Sequence, residues 1–325
     1  MLKNNYFKIT NTTPILNVGV VFFMKKYSRS DLALELNEEI NDNSTDNGIE
    51  IKSNSLYDGR IKETVIEIKN NIGEQLLGKP KGLYITIEGD ELDENDESIH
   101  NIFCKALSDN LKELIGDNKK IFVVGLGNRH ITPDSLGPLV IDNLYITRHL
   151  ISEGIISNSL EISALSPGVM AQTGIEATEI LSSLCDKIKP DVIIAIDALA
   201  AREPSRLGRT IQICDTGIAP GSGVGNNRAK IDFETLGVKV IAIGVPTVIS
   251  VPSILTQAMD KVVNFFMSKP DIGTIELSDE EKYQMSCNFL EEKLISMFVT
   301  PKNIDEGVKR ISYTISEAIN SFLEL

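Results

Sequence analysis

Asp134 and Asp197 are the two residues whose settings suggest chemistry. Asp134 lies in the run Gly125-Leu126-Gly127-Asn128-Arg129-His130-Ile131-Thr132-Pro133-Asp134-Ser135-Leu136-Gly137-Pro138, and Asp197 ends the apolar run Val192-Ile193-Ile194-Ala195-Ile196. An acid at the end of a buried strand is costly unless it is paired or opens into a cleft. If the strands that precede these two acids are neighbours, the carboxyls face each other. Two carboxyls at close range cannot both ionise easily, so one pKa rises and a proton is shared. Such a pair can activate water and protonate a leaving group, or hold a divalent cation. Plainer duties are also open to them. Asp134 is placed to cap the helix that starts near Leu136, and Asp197 can bond to a neighbouring loop.

Other motifs are weaker. Gly125-Leu126-Gly127 begins like a dinucleotide fingerprint, but His130 stands where the third glycine belongs and Pro133 delays the helix. A nucleotide-binding module without protease activity therefore stays only as an alternative. Asp215-Thr216-Gly217 matches the triplet of pepsin-like proteases, which need two copies in a mostly β chain; neither condition is met. Gly221, Gly223 and Gly225, followed by Arg228, suggest a flexible substrate-binding or gating loop, with a plain turn as the alternative. No Walker lysine or Gly-x-Ser-x-Gly elbow is present. Arg202, Arg206, Arg209 and Arg228 are candidates for reading an acidic substrate residue, although surface solvation is the default for most of them. The four cysteines (Cys104, Cys185, Cys214, Cys287) form no Cys-x-x-Cys, and the three histidines form no His-Glu-x-x-His. Neither a metal site nor a disulfide framework is expected, and no cofactor.

The elements that must position these residues read as α/β. Ile121–Val124, Val192–Ile196, Ile211–Cys214 and Val238–Ile243 are continuous apolar runs suited to buried parallel strands. Gly82–Glu88 alternates like a strand. Leu136, Val140 and Leu144, then Ile180/Leu181 and Leu184/Cys185, then Ile304 through Phe322, step at helical spacing. The pattern predicts a doubly wound, mostly parallel sheet with helices on both faces, whose ligands bind beyond the carboxyl ends of the strands. Residues 28–50 are polar and read as an exposed arm, and the acidic run Glu88–Ser98 as a solvated loop or first helical turn.

The 325 residues carry 32 Lys+Arg against 46 Asp+Glu, a formal net charge of −14. That balance disfavours nucleic acid and anionic membranes as partners. Ile15–Met24 is too short to span a bilayer and lacks the features of a signal peptide. Met24 is a candidate start, with residues 1–23 an extension.

Several strings together resemble the spore germination proteases: Ser28–Glu35, Val123–Pro138, Ser166-Pro167-Gly168-Val169-Met170-Ala171-Gln172-Thr173-Gly174, Asp191–Ala198, Asp215–Arg228, Ile243–Val248 and Val299–Lys302. The resemblance runs from about residue 27 to the C-terminus and leaves residues 1–23 without counterpart. It implies a fold similar to hydrogenase maturation proteases and an endopeptidase of small acid-soluble spore proteins. It further implies an inactive precursor that cuts itself, a location in the cytoplasm of the forespore and spore core, and a homotetramer. By position, Asp134 and Asp197 match the family's two carboxylates, although acids at comparable loops of the maturation enzymes hold a metal. Ser30-Asp31-Leu32-Ala33 resembles the family's cleavage sequence, so the expected cut is Asp31–Leu32. On that reading 24–31 is a prosegment and 32–325 the catalytic domain.

Overall fold

The computed structural model describes residues 30–38, 47–90, 92, 95–157, 159–224, 228–268 and 277–323. The proposed extension, the start at Met24, prosegment residues 24–29 and Gly225 lie outside them. In chain order the elements are α1 (Ala33–Glu38), β1 (Ile49–Leu56), β2 (Ile61–Ile68), α2 (Asn71–Leu77), β3 (Gly82–Glu88), α3 (Glu97–Ile115), β4 (Lys120–Gly125), α4 (Leu136–Asp142), α5 (Arg148–Ser152), β5 (Glu161–Leu165), α6 (Met170–Thr173), α7 (Ala177–Ile188), β6 (Val192–Ala201), β7 (Thr210–Cys214), α8 (Phe233–Leu236), β8 (Lys239–Ser250), α9 (Val251–Met267), α10 (Asp279–Phe289), α11 (Glu292–Ile295), β9 (Phe298–Val299) and α12 (Ile304–Asn320).

The strands form one sheet in the order β1-β2-β3-β7-β8-β6-β4-β5, with β9 on β8. β5, β4, β6 and β8 run parallel; β7, β3, β2 and β1 extend the sheet antiparallel. The doubly wound α/β reading holds, and its parallel character belongs to that four-strand half. β7 is antiparallel to both neighbours. An apolar run that is buried on both faces reports burial, not strand direction.

Alternate residues of each central strand enter different layers. Ile121, Val123, Ile194, Ile196, Ile241 and Ile243 pack under α3, α4 and α12, where Phe103, Val140 and Ile315 are fully buried. Phe122, Val124, Ile193 and Ala195 pack on the other face against Leu181 and Cys185 of α7. On that second face, Ala33 and Leu34 of α1 and Leu77 of α2 cover Ile66, Ile68, Tyr84 and Ala242.

Residues 30–38 are thus a layer of the core, not the exposed arm the polar composition of 28–50 predicts. Leu32 and Ala33 are 0% exposed. Three successive apolar residues in that stretch outweigh its polar flanks, because burying Leu32 alone stabilises by about 2 kcal/mol.

Candidate active site

β4 and β6 are parallel neighbours, and their unequal lengths make the site. β4 stops at Gly125, opposite Ile196, whereas β6 continues to Ala201. Asp197 is therefore not at a strand end. It is the first residue of β6 beyond its β4 neighbour, and the rest of β6 follows β8 across a bulge at Leu199/Ala200.

Leu126 N donates to Ile196 O at 2.8 Å and turns the chain over the exposed strand. The loop then folds back tightly. Gly127 has φ 108°, and a Cβ there would lie 2.1 Å from the carbonyl oxygen of Asp134. A Cβ on Gly125 would lie 2.3 Å from the oxygen of Gly137. The Gly-x-Gly pair that resembles a nucleotide fingerprint serves here to close the loop on Asp134. Asn128 N donates to Asp134 Oδ2 at 2.8 Å, and Thr247 Oγ1 of β8 to Pro133 O at 2.7 Å. Asp134 does not cap α4, whose N-cap position belongs to Ser135.

Asp134 and Asp197 line one cavity of about 360 Å³ together with Asp31, Gly221, Arg228 and Thr247. Asp197 is 5% exposed, and its Oδ1 accepts from Ala198 N at 2.9 Å. Burial pushes its pKa well above the carboxylate range, and the charges of Asp134 and Asp31 push it further. Burial also raises Asp134, opposed by the Asn128 amide and the Arg228 charge. The site keeps a proton on an acid at a pH where free aspartate has lost it.

The third acid comes from the residue before the expected cut. Asp31 N donates to Ala200 O at 3.1 Å, Ala200 N to Asp31 Oδ2 at 3.0 Å, and Ser222 Oγ to Asp31 Oδ1 at 2.7 Å. Gly223 leaves room for this carboxylate, since a Cβ there would lie 2.1 Å from Asp31 Oδ2. The Asp31 carbonyl oxygen accepts from Lys79 Nζ at 2.9 Å and Gln212 Nε2 at 3.3 Å. Gln212 Oε1 in turn accepts from Ala33 N at 2.7 Å. Leu32 between them packs on Leu199 and Ala201.

Downstream, the carboxylate of fully buried Glu35 accepts from the Ser30 hydroxyl, from Arg202 N at 2.7 Å and from Glu203 N at 2.9 Å, and pairs with Arg206 at 3.3 Å. Arg206 also meets Glu38 and Glu88. This arginine is a buried hub, not a solvated surface cation; its side chain is 12% exposed. Of the four candidate arginines, Arg228 lines the acid cavity, Arg202 and Arg206 grip Glu35, and Arg209 faces Asp90 at 3.7 Å. Asp215 accepts from Leu83 N at 2.8 Å and so ties β3 to the end of β7.

Lys79, Gln212, Ser222 and the role of Glu35 escaped the sequence reading. A Glu directly after Leu32-Ala33-Leu34 was the one available signal, because a charge inside an apolar run needs a partner. A metal does not fit this donor set. Each of the two facing acids has one oxygen held by a backbone amide, and no cluster of three or more His, Cys, Asp or Glu suited to a metal occurs among the described residues.

A family model described as germination protease matches residues 28–274. The chain belongs to the germination protease family. It is 41% identical to a germination protease of Caldanaerobacter subterraneus over 307 residues, covering 91% of this chain and 94% of that one. It is 39% identical to one of Clostridium perfringens over 309 residues (91% and 95%) and 37% identical to one of Priestia megaterium over 340 residues (90% and 90%). A solved [NiFe] hydrogenase maturation protease, HycI of Thermococcus kodakarensis, aligns at TM-score 0.33 and 17% identity, over 65% of this chain and 98% of that one. A germination protease is a peptidase, so the acid-lined cavity is the place to look for its hydrolytic chemistry. Among its described residues no helix is long and apolar enough to cross a membrane.

Proposed function

We propose that this germination protease is an endopeptidase of small acid-soluble spore proteins, made in the spore core as a precursor that cuts its own Asp31–Leu32 bond. Asp134 and Asp197 are the acid pair. The observation that carries the reading is that Asp31 shares its cavity with those two acids. The bond to be cut and the groups to cut it thus belong to one site.

The chemistry follows from the shared proton. One carboxylate takes a proton from water as the oxygen attacks the carbonyl carbon, and the protonated partner gives its proton to the departing nitrogen. The pair titrates as a unit. Arg228 adds positive charge at the cavity wall and moderates the repulsion among the acids. Gly221 and Gly223 belong to the candidate substrate loop: the first lines the acid cavity and the second admits the Asp31 carboxylate.

The test is to express the precursor and follow its N-terminal mass. D134N and D197N should each abolish conversion and cleavage of a spore-protein substrate, a loss of at least about 10³-fold, while the fold stays intact. D215N should have a smaller effect, since Asp215 ties strands. Loss with D215N alone, and full activity in the other two, would reverse the assignment.

A homotetramer belongs to the same proposal. Its support is exposed apolar surface on α9 and α10, where Val262, Phe265, Phe266 and Phe289 are 54%, 60%, 47% and 72% exposed. Sedimentation of the intact chain decides it, with a monomer as the overturning result.

A further inference from the structure

We infer that Lys79 and Gln212 are the carbonyl-side catalytic groups of self-cleavage, holding the oxygen of Asp31 as negative charge develops on it. This rests on the proposed cut at Asp31–Leu32. The carbonyl that such a cut attacks is met by a lysine ammonium at 2.9 Å and a glutamine amide at 3.3 Å. A carbonyl that only needed satisfying would be served by one neutral donor. A cation aimed at this oxygen strengthens as the oxygen gains charge, which is the requirement for lowering a barrier.

Both donors are held in advance of the reaction. Lys79 follows Gly78, the left-handed cap of α2 whose N–H bonds Glu74 O at 2.8 Å, and precedes Pro80, whose carbonyl accepts from Tyr84 Oη at 2.9 Å. The lysine backbone is pinned on both sides. Gln212 stands in the middle of β7, bonded between β3 and β8. Its oxygen accepts from Ala33 N at 2.7 Å, and that bond turns its NH₂ toward Asp31. One amide thereby spans Leu32 and fixes the chain on both sides of the bond to be cut. Lys79 and Gln212 line a second cavity, of about 440 Å³, and Asp31 lines both that cavity and the acid-lined one.

In the step, water oxygen bonds to the Asp31 carbonyl carbon, and the C=O π pair moves onto the oxygen held by Lys79 and Gln212. The water proton passes to one carboxylate of the Asp134/Asp197 pair. On collapse the C–N bond breaks and Leu32 N takes the proton of the other carboxyl. The products are an Asp31 carboxylate and a Leu32 amine, at the expense of one water. With Lys79 on the oxygen, the protonated acid is free to serve the leaving nitrogen.

The experiment measures the first-order conversion of full-length precursor by mass spectrometry for wild type, K79M, K79R and Q212L. Thermal unfolding of each precursor is measured alongside. K79M should convert about 10²-fold more slowly, the effect of removing one such donor, with K79R within about 10-fold of wild type because it keeps the charge. Q212L should also slow conversion and is the decisive variant if K79M fails to fold. Wild-type rates in folded K79M or Q212L, or K79R as slow as K79M, overturn the inference. If wild type itself is never cut between Asp31 and Leu32, the underlying processing proposal fails instead.

Discussion

Asp197 illustrates how a residue becomes functional by being denied what its type prefers. It is 5% exposed, and burial followed by two neighbouring acids raises its pKa. The sign for stability is fixed by linkage. Between the ordinary aspartate pKa and the raised one, the folded chain binds more protons than the unfolded chain, so stability falls as pH rises. Below that window the penalty is absent; above it the penalty is complete. D197N, which keeps the Ala198 N–H bond to a side-chain oxygen, should therefore unfold at a higher temperature than wild type near neutral pH, with the gap closing toward acid pH. Parallel melting curves over a pH series check this. A gap that widens toward acid would contradict the buried-proton assignment. The same proton bears on activity: cleavage should decline as pH climbs through the raised pKa of the pair, because the donor to the leaving nitrogen is lost.

At the scale of elements, the site depends on a strand that outruns its neighbour and a loop that doubles back over it. That loop admits no side chain at Gly127, where φ is 108° and a Cβ would meet the Asp134 backbone at 2.1 Å. G127A should lower stability by about 1–3 kcal/mol from backbone strain and reduce cleavage more than that loss explains, because Asp134 is displaced. A melting curve and an activity assay on one preparation separate the two effects. Much of this level was legible beforehand. β3 falls on Gly82–Glu88, α4, α7 and α12 follow the stepped apolar residues, and β4 and β6 are neighbours. Those features rest on period and burial, which are local. Others escaped because they depend on distant chain. The antiparallel direction of β7, the continuation of β6 past Asp197, and the burial of Leu32–Glu35 are each set by partners far away in the sequence. Glu35 looks solvated until Arg206 and the Arg202 and Glu203 amides are brought to it.

The whole molecule carries a formal charge of −14. A polyanion repels DNA, so spore proteins should be cut faster free than while coating DNA. Cleavage of one substrate with and without saturating duplex measures this, and equal rates in low salt would refute it. The fold also dictates the aftermath of hydrolysis at Asp31–Leu32. Leu32 has no exposed surface, and its nitrogen lies 3.1 Å from Ser30 Oγ, the hydroxyl that also bonds Glu35. Severing the bond creates an ammonium in a dry interior and detaches the very hydroxyl that had satisfied Glu35. A fresh cation and a newly orphaned anion three residues apart drive a local relocation, so the event works as a one-way latch.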